Sequence, residues 1–559
     1  MTVSVRRTLA TACFALTAPV VIDAQVANAP DLAARIDRVF ARFGPTSPGC
    51  AVGLAKDGKT LYTHGYGSAN LEYGVPLTDS TVLESGSVAK QFTASAIMAL
   101  VADGKLRLSD DIRRYLPEVP DFGGQKITIQ NLLTHTSGLR DQWGLLGIEG
   151  RGPGSQVHSA LTTLDLVAHQ KMLNFPPGSA YLYSNTGYAL AGLIVQRVSG
   201  MSLDAFMQAR FFKPLGMTHT QWRDDFTKVV RNRATAYSGN ESSGYHQDMP
   251  FTNMIGNGGV LSTMADLLKW NENLDHPTIG GQSYVEAMQT RMRLNNGRTI
   301  TYALGLVVSA FDGVGEVSHS GSTAGYQTFL ARYPDQHVSV AVWCNYTGAN
   351  PTSLAHQVVD LVLQKQNVSA AGAQSSHVDV APGTLEKWAA TYRDPFTDQT
   401  LTLAASNGVL RSADGGRGGN GPFFAPEGGA QFKGPLGDAT FSGAAGRRAF
   451  ILARTSGDTS RFEEVRPLAS PLPLKDYVGT YTSDELDVRF VIADKDGKLV
   501  LRRRPADEIE LHPAYADDFR AGGELGTLRF SRDAKGTVTG FAFFAGRVLD
   551  VRFKRASER

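Results

Sequence analysis

Ser87-Val88-Ala89-Lys90 opens an apolar segment that continues through Ala102. On a helix, positions three apart share a face, so the Lys90 amine can reach the Ser87 hydroxyl. A serine hydroxyl is a weak nucleophile until a base removes its proton. A lysine does this only where burial or a neighbouring cation lowers its pKa from about 10.4. Backbone N–H groups left free at the helix start can also hold a developing oxyanion. Taken alone, a Ser-x-x-Lys is more often a helix start with a solvated lysine, so the pattern needs companions.

Two companions are present. Tyr183-Ser184-Asn185 follows the turn Pro176-Pro177-Gly178, and His319-Ser320-Gly321 precedes an apolar strand pattern at Thr328. Ser87 begins the only Ser-x-x-Lys in the chain, Tyr183 the only Tyr-x-Asn, and His319 the only Lys/His-[Ser/Thr]-Gly. With Ser85-Gly-Ser87-Val-Ala-Lys90-Gln-Phe-Thr93 around the nucleophile, the order of the three motifs resembles the penicillin-recognising serine hydrolases, in their class C β-lactamase-like branch. Leu132-Leu-Thr-His135-Thr-Ser137-Gly138-Leu139 and Gly256-Asn-Gly258-Gly259-Val-Leu-Ser262-Thr263 look like structural loops of that family.

The resemblance implies an acyl-enzyme hydrolase with no metal or organic cofactor. Ser87 would attack a carbonyl, Lys90 and Tyr183 would share the proton handling, and Asn185 would orient the lysine and a substrate amide. Which of Lys90 and Tyr183 is the base stays open, because each perturbs the other's titration. The third motif, with His319 and Gly321, would lead to Ser322, whose N–H would join that of Ser87 around the oxyanion. In β-lactamases and many DD-peptidases that motif starts with Lys, a permanent cation that helps hold a substrate carboxylate. His319 is mostly neutral near pH 7 unless a carboxylate sits beside it. This departure points toward an amidase, aminopeptidase or esterase, with short peptides, amides or esters as substrates. Cleavage of a short peptide amide at a D-residue is the first expectation; a carboxylesterase, a DD-carboxypeptidase and a weak β-lactamase are the rivals. A non-catalytic protein that binds cell-wall peptides is the alternative of another class, and intact Ser87, Lys90 and Tyr183 speak against it.

Outside the motifs, His135 reads as structural because no partner can be assigned to it. Trp143 reads either as a pocket wall or as a packed loop aromatic. The glycine-rich run 414–429 reads as a disordered loop, and Arg502-Arg503-Arg504 as a solvated strand end.

The chain that must position these groups has 559 residues, 42% hydrophobic and 19% charged, which excludes overall disorder and allows several cores. With 55 basic against 53 acidic residues, no strong field exists for nucleic acid. Arg6-Arg7, an apolar run over 8–22 and small residues at 24–29 read as an export signal covering 1–29, with cleavage near Ala24 or Ala29, so the protein is expected to be periplasmic or secreted. The run is too short, and is broken by Pro19, for stable membrane insertion. Once Cys13 is removed with it, Cys50 and Cys344 remain in a compartment that permits disulfides, both in apolar strand patterns; two buried free thiols are the default expectation and a bridge between them the alternative.

Residues 30–366 mix strand and helix signals. Strand patterns at 50–56 and 61–67, joined by Asp57-Gly58, and at 303–308, 328–333 and 338–344 enclose a helical middle, as in an α/β (α+β) domain with one antiparallel sheet flanked by helices. A helix is expected over 91–102, and Thr263 with Asp266 suggests a capping box. A linker at 367–384 leads to two small all-β units, 385–466 and 474–559. Three matches share an offset of 89 residues: Trp388-Ala-Ala-Thr391-Tyr392 on Tyr477-Val-Gly-Thr480-Tyr481, Asn407-Gly408 on Asp496-Gly497, and Phe441-Ser442 on Phe530-Ser531. Units of this size suit closed antiparallel barrels, and they resemble the lipocalin-like barrels of bacterial D-aminopeptidases. They could narrow the cleft or join subunits into a homo-oligomer.

Overall fold

A computed structural model describes residues 29–363, 383–412, 423–465, 473–504, 507–522 and 525–557. The export segment and nearly all of the linker lie outside these residues. The first unit is built on a six-stranded antiparallel sheet. Its strands are β1 (Cys50–Lys56), β2 (Lys59–Tyr66), β3 (Val307–Phe311), β4 (Val314–Thr323), β5 (Tyr326–Tyr333) and β6 (Val338–Cys344), in the order β3-β4-β5-β6-β1-β2. Asp57 and Gly58 both take positive φ, 49° and 70°, as a tight two-residue hairpin between β1 and β2 requires. The central strands are covered on both faces, so their side chains divide by alternation. Cys50, Val52 and Leu54 face one apolar cluster with α1 (Ala29–Phe40) and a C-terminal helix, Pro351–Asp360, while Ala51 faces the larger helical core with Phe92 and Trp270.

Three expectations for this unit are corrected. Cys50 and Cys344 form a disulfide, with an S–S distance of 2.09 Å. β1 and β6 are neighbours in the sheet, and their register sets the two cysteines directly opposite each other although 294 residues separate them. Second, His319 precedes the strand at Thr328 as expected but is itself within β4, one strand in from the sheet edge, and the 303–308 pattern becomes a strand only from Val307. Third, the capping box at Thr263 does not form: the Asp266 carboxylate accepts from the His219 N–H at 2.8 Å and the Thr220 hydroxyl at 3.0 Å.

Beyond this unit are two closed eight-stranded barrels, the first from Ala390 to Glu464 and the second from Gly479 to Arg555. The duplication extends to individual bonds. Tyr392 donates its hydroxyl proton to the Trp388 carbonyl at 2.8 Å, and Tyr481 does the same to Tyr477 at 2.8 Å. Each tyrosine ring meets its phenylalanine, Phe441 or Phe530, edge-on at 5.9 Å. Asn407-Gly408 and Asp496-Gly497 turn the corresponding hairpins with positive φ at all four residues. Of the glycine-rich run, 414–422 lies outside the described residues, but Phe423–Gly428 is a barrel strand rather than part of a disordered loop.

The second barrel is docked on the first unit. Helix α2 (Gln142–Glu149) inserts Leu145, Leu146 and Ile148 into the barrel's own apolar core. Beside it the fully buried Arg140 donates to Glu485 at 2.6 Å and to the carbonyls of Leu549 and Asp550, both at 2.9 Å. Arg503, expected to be solvated, donates to the Ile148 carbonyl at 2.9 Å and to that of Gly147, at the C-terminal end of α2 where a cation is favoured.

Candidate active site

Ser87 sits in a single 3-10 turn, Gly86–Val88, that runs directly into the helix Ala89–Ala102. The turn is pressed against β4. A Cβ on Gly86, whose φ is 48°, would lie 2.6 Å from the Ser322 nitrogen. One on Gly321 would lie 2.2 Å from the Ser85 carbonyl oxygen and 2.8 Å from the Ser87 nitrogen. Only glycine fits at these two points, and the fit brings the Ser87 and Ser322 amides to one place.

Lys90 is wholly buried. Its Nζ lies 3.0 Å from Ser87 Oγ, 2.9 Å from Asn185 Oδ1 and 2.8 Å from the Asn257 carbonyl oxygen. Burial is the main influence on its pKa and holds it well below the usual lysine range; Asp141 opposes this and Arg547 adds to it. A neutral amine has two N–H bonds and one lone pair. With the two N–H bonds donated to Asn185 Oδ1 and the Asn257 carbonyl, the lone pair is left for the Ser87 hydroxyl. Tyr183 lies beside this group, its ring centroid 4.9 Å from Lys90 Nζ. Burial raises the Tyr183 pKa, with the Ser87 hydroxyl pulling the other way as a hydrogen-bond partner, so the phenol keeps its proton. Asn185 begins the helix Asn185–Ser199 and is fixed by Asp141, whose Oδ2 accepts from its backbone N–H at 2.7 Å and its side-chain amide at 2.9 Å.

His319 is buried and bonded through both ring nitrogens: Nε2 accepts from the Tyr302 hydroxyl at 2.8 Å, and Nδ1 donates to the Ser320 carbonyl at 2.5 Å. Burial first, then the Lys90 charge, pushes its pKa down to about 3. It is therefore a neutral group at physiological pH. His135, for which the sequence offered no partner, packs on Tyr183 with ring centroids 4.1 Å apart and accepts the Ser184 N–H at 3.1 Å.

The structure thus gathers Ser87, Tyr183, Asn185, His319, Gly321 and Ser322 around one cleft of about 1050 Å³, with the buried Lys90 behind Ser87. Trp143 proves to be both things at once, a cleft wall and a helix residue packed on the second barrel. Four participants were missed. The Asn257 carbonyl lies inside a motif read only as a loop, and Asp141 lies two residues beyond the other such motif, 132–139. Asp248 lines the cleft with no donor to its carboxylate among the described residues, and its pKa is raised by burial. Arg547 comes from the second barrel, and no local sequence signal announces it.

A serine hydroxyl facing a buried, charge-depressed lysine at the bottom of a cleft defines a serine hydrolase. Residues 36–364 match the family model described as Beta-lactamase, more than half of the chain, and the chain belongs to that family. A D-aminopeptidase of Brucella anthropi is 25% identical over 533 residues, covering 91% of this chain and 96% of its own. Penicillin-binding protein 4* of Bacillus subtilis is 31% identical over 305 residues, 52% of this chain and 66% of its own. Among solved structures, an octameric penicillin-binding protein homologue from Pyrococcus abyssi superposes with a TM-score of 0.55 at 23% identity, covering 86% of this chain and 99% of its own, a likeness of fold.

Proposed function

We propose that this protein hydrolyses amide bonds of short peptides at a D-residue through an acyl-enzyme on Ser87. The observation that carries the reading is the Lys90 amine, stripped of solvent and 3.0 Å from Ser87 Oγ, with its other two bonds already assigned. Lys90 takes the Ser87 proton as Oγ attacks the carbonyl carbon, and the oxyanion rests between the Ser87 and Ser322 N–H groups. Tyr183 gives its phenolic proton to the leaving amine and recovers one from Lys90. Water then attacks the ester carbonyl, Lys90 accepts its proton and returns it to Ser87 Oγ as the Oγ–acyl bond breaks, and the acid departs with Ser87 and Lys90 restored. The neutral His319 puts no cation at the start of the third motif, which supports an amidase over a β-lactamase. The D-aminopeptidase relatives support D-selectivity, and the carboxylate of Asp248 suits a substrate amine. The arginine-led apolar N-terminus and the Cys50–Cys344 disulfide support action in an oxidising, extracytoplasmic compartment.

The test combines labelling with turnover. A fluorophosphonate should leave an adduct on the peptide carrying Ser87, absent from Ser87→Ala, and D-alanine p-nitroanilide should be cleaved faster than its L-enantiomer. No adduct sinks the nucleophile assignment; an adduct with preference for the L-substrate or for simple esters sinks the substrate assignment.

A further inference from the structure

The last hairpin of the second barrel joins strands Val538–Ala545 and Val548–Arg555 through Gly546 and Arg547, and this turn enters the catalytic cleft. Its backbone is tied down there: the Arg547 carbonyl accepts from the Asn174 side chain at 3.0 Å and from the Asp141 N–H at 3.3 Å, and the Leu549 N–H donates to Asn174 at 2.8 Å. The guanidinium lies over the Tyr183 ring, 4.5 Å from its centroid.

Apart from the Asp248 carboxylate, an anion that suits a substrate amine, the other charges of the cleft are already committed. Lys90 gives its two N–H bonds to Asn185 and Asn257 and its lone pair to the Ser87 hydroxyl. Glu84 is held by Arg223 at 2.7 Å and Arg233 at 2.9 Å. Asp141 accepts from Asn185 twice and from the Trp143 N–H. Arg547 differs: its side chain is 49% exposed, its only ion-pair partner among the described residues is Asp141 at 4.0 Å, and no described acceptor takes a hydrogen bond from its guanidinium. A planar fork of unspent donors is matched to a carboxylate, which it binds through two parallel bonds.

We propose that Arg547 is a specificity residue that binds a free carboxylate on the leaving side of the substrate, so that the preferred substrates are dipeptides and similarly short peptides ending in an acid. The inference rests on the function proposed above, because Tyr183 protonates the leaving amine there and whatever is attached to that amine meets the guanidinium stacked on the same ring. In a dipeptide the attached group is the C-terminal residue with its carboxylate. The second barrel then reads the end of the substrate that the catalytic unit, with neutral His319, leaves unread.

Binding to an enzyme that cannot turn over separates this from the chemistry. D-alanyl-glycine and D-alanyl-glycinamide are titrated calorimetrically into full-length Ser87→Ala and into Ser87→Ala with Arg547→Ala or Arg547→Lys. Ser87→Ala should bind the acid at least tenfold more tightly than the amide, the added Arg547→Ala should erase that ratio, and Arg547→Lys should keep part of it. Equal affinities in Ser87→Ala, no binding of either peptide, or a ratio that survives Arg547→Ala overturns the proposal. Failure of the parent reading shows elsewhere, as an unlabelled Ser87 in the otherwise unaltered enzyme.

Discussion

At Lys90 the chemistry depends on which protonation state the fold imposes. Its pKa is depressed chiefly by burial and secondarily by Arg547, against the pull of Asp141. The base form is the neutral amine, so activity is present above the depressed pKa and is lost as pH falls through it. Asp141→Asn removes the group that holds the proton on, so the acid limb of kcat/KM should move to lower pH; Arg547→Ala should move it to higher pH. Lys90→Ala should cost roughly 100- to 10,000-fold in rate, the usual range for a positioned acid–base group. Steady-state profiles of the three variants on a D-amino-acid anilide check this, and an acid limb that stays in place in both charge variants would remove Lys90 from the role of base. The sequence left the choice between Lys90 and Tyr183 open because both types can serve. What separates them is environment: the same burial that frees the amine of its proton keeps the phenol protonated, and burial is not written in a motif.

The elements show what a linear reading can reach. Local turn chemistry was legible, as at Asp57-Gly58 and at the two repeated barrel hairpins, because positive φ and its residues are decided within a few positions. Strand order was not, and with it went the Cys50–Cys344 bond, since pairing across 294 residues is a property of the sheet. Asp266 shows a third case, where a tertiary partner took a side chain that local rules assign to a cap. The contact of the nucleophile turn with β4 is likewise tertiary, and it yields a sharp expectation. Gly321→Ala places a methyl group 2.2 Å from the Ser85 carbonyl oxygen and 2.3 Å from Thr328 Oγ1, neither of which is a flexible chain end. The turn and the strand must part, separating the Ser87 and Ser322 amides. Loss of one such donor typically costs about 100- to 1,000-fold in kcat. Labelling of Ser87 and turnover should therefore both fall in Gly321→Ala while the far-ultraviolet spectrum stays that of the folded protein; full activity would place the oxyanion elsewhere.

At the scale of the whole molecule, the catalytic unit and the second barrel share one interface built around charge as well as apolar contact. The duplication in the sequence announced two barrels but not that the second would be fastened to the active site while carrying one of its walls. Residues 140–150 form the fastening: Arg140 reaches into the barrel, Asp141 holds Asn185, and α2 fills the barrel's end. A buried ion pair is weak evidence of net stabilisation, since its desolvation cancels much of the attraction, yet removing one member leaves the other charged and unpaired, at about 3–5 kcal/mol. Arg140→Ala strands Glu485, which also accepts the Lys171 N–H at 2.8 Å, and releases the carbonyls of Leu549 and Asp550 two and three positions after Arg547. The barrel itself, closed and packed on its own phenylalanines, keeps its core. Denaturation followed by two probes should therefore split in Arg140→Ala, with the barrel's transition separating from that of the catalytic unit, whereas the parent protein is expected to unfold in one coincident transition. The double variant Arg140→Met with Glu485→Met, which removes both charges, should restore much of the coincidence, because no charge is left buried alone. Coincident transitions in Arg140→Ala would mean that the apolar plug of Leu145, Leu146 and Ile148 holds the two units together unaided, and that the ion pair serves only to set the register of the hairpin that bears Arg547.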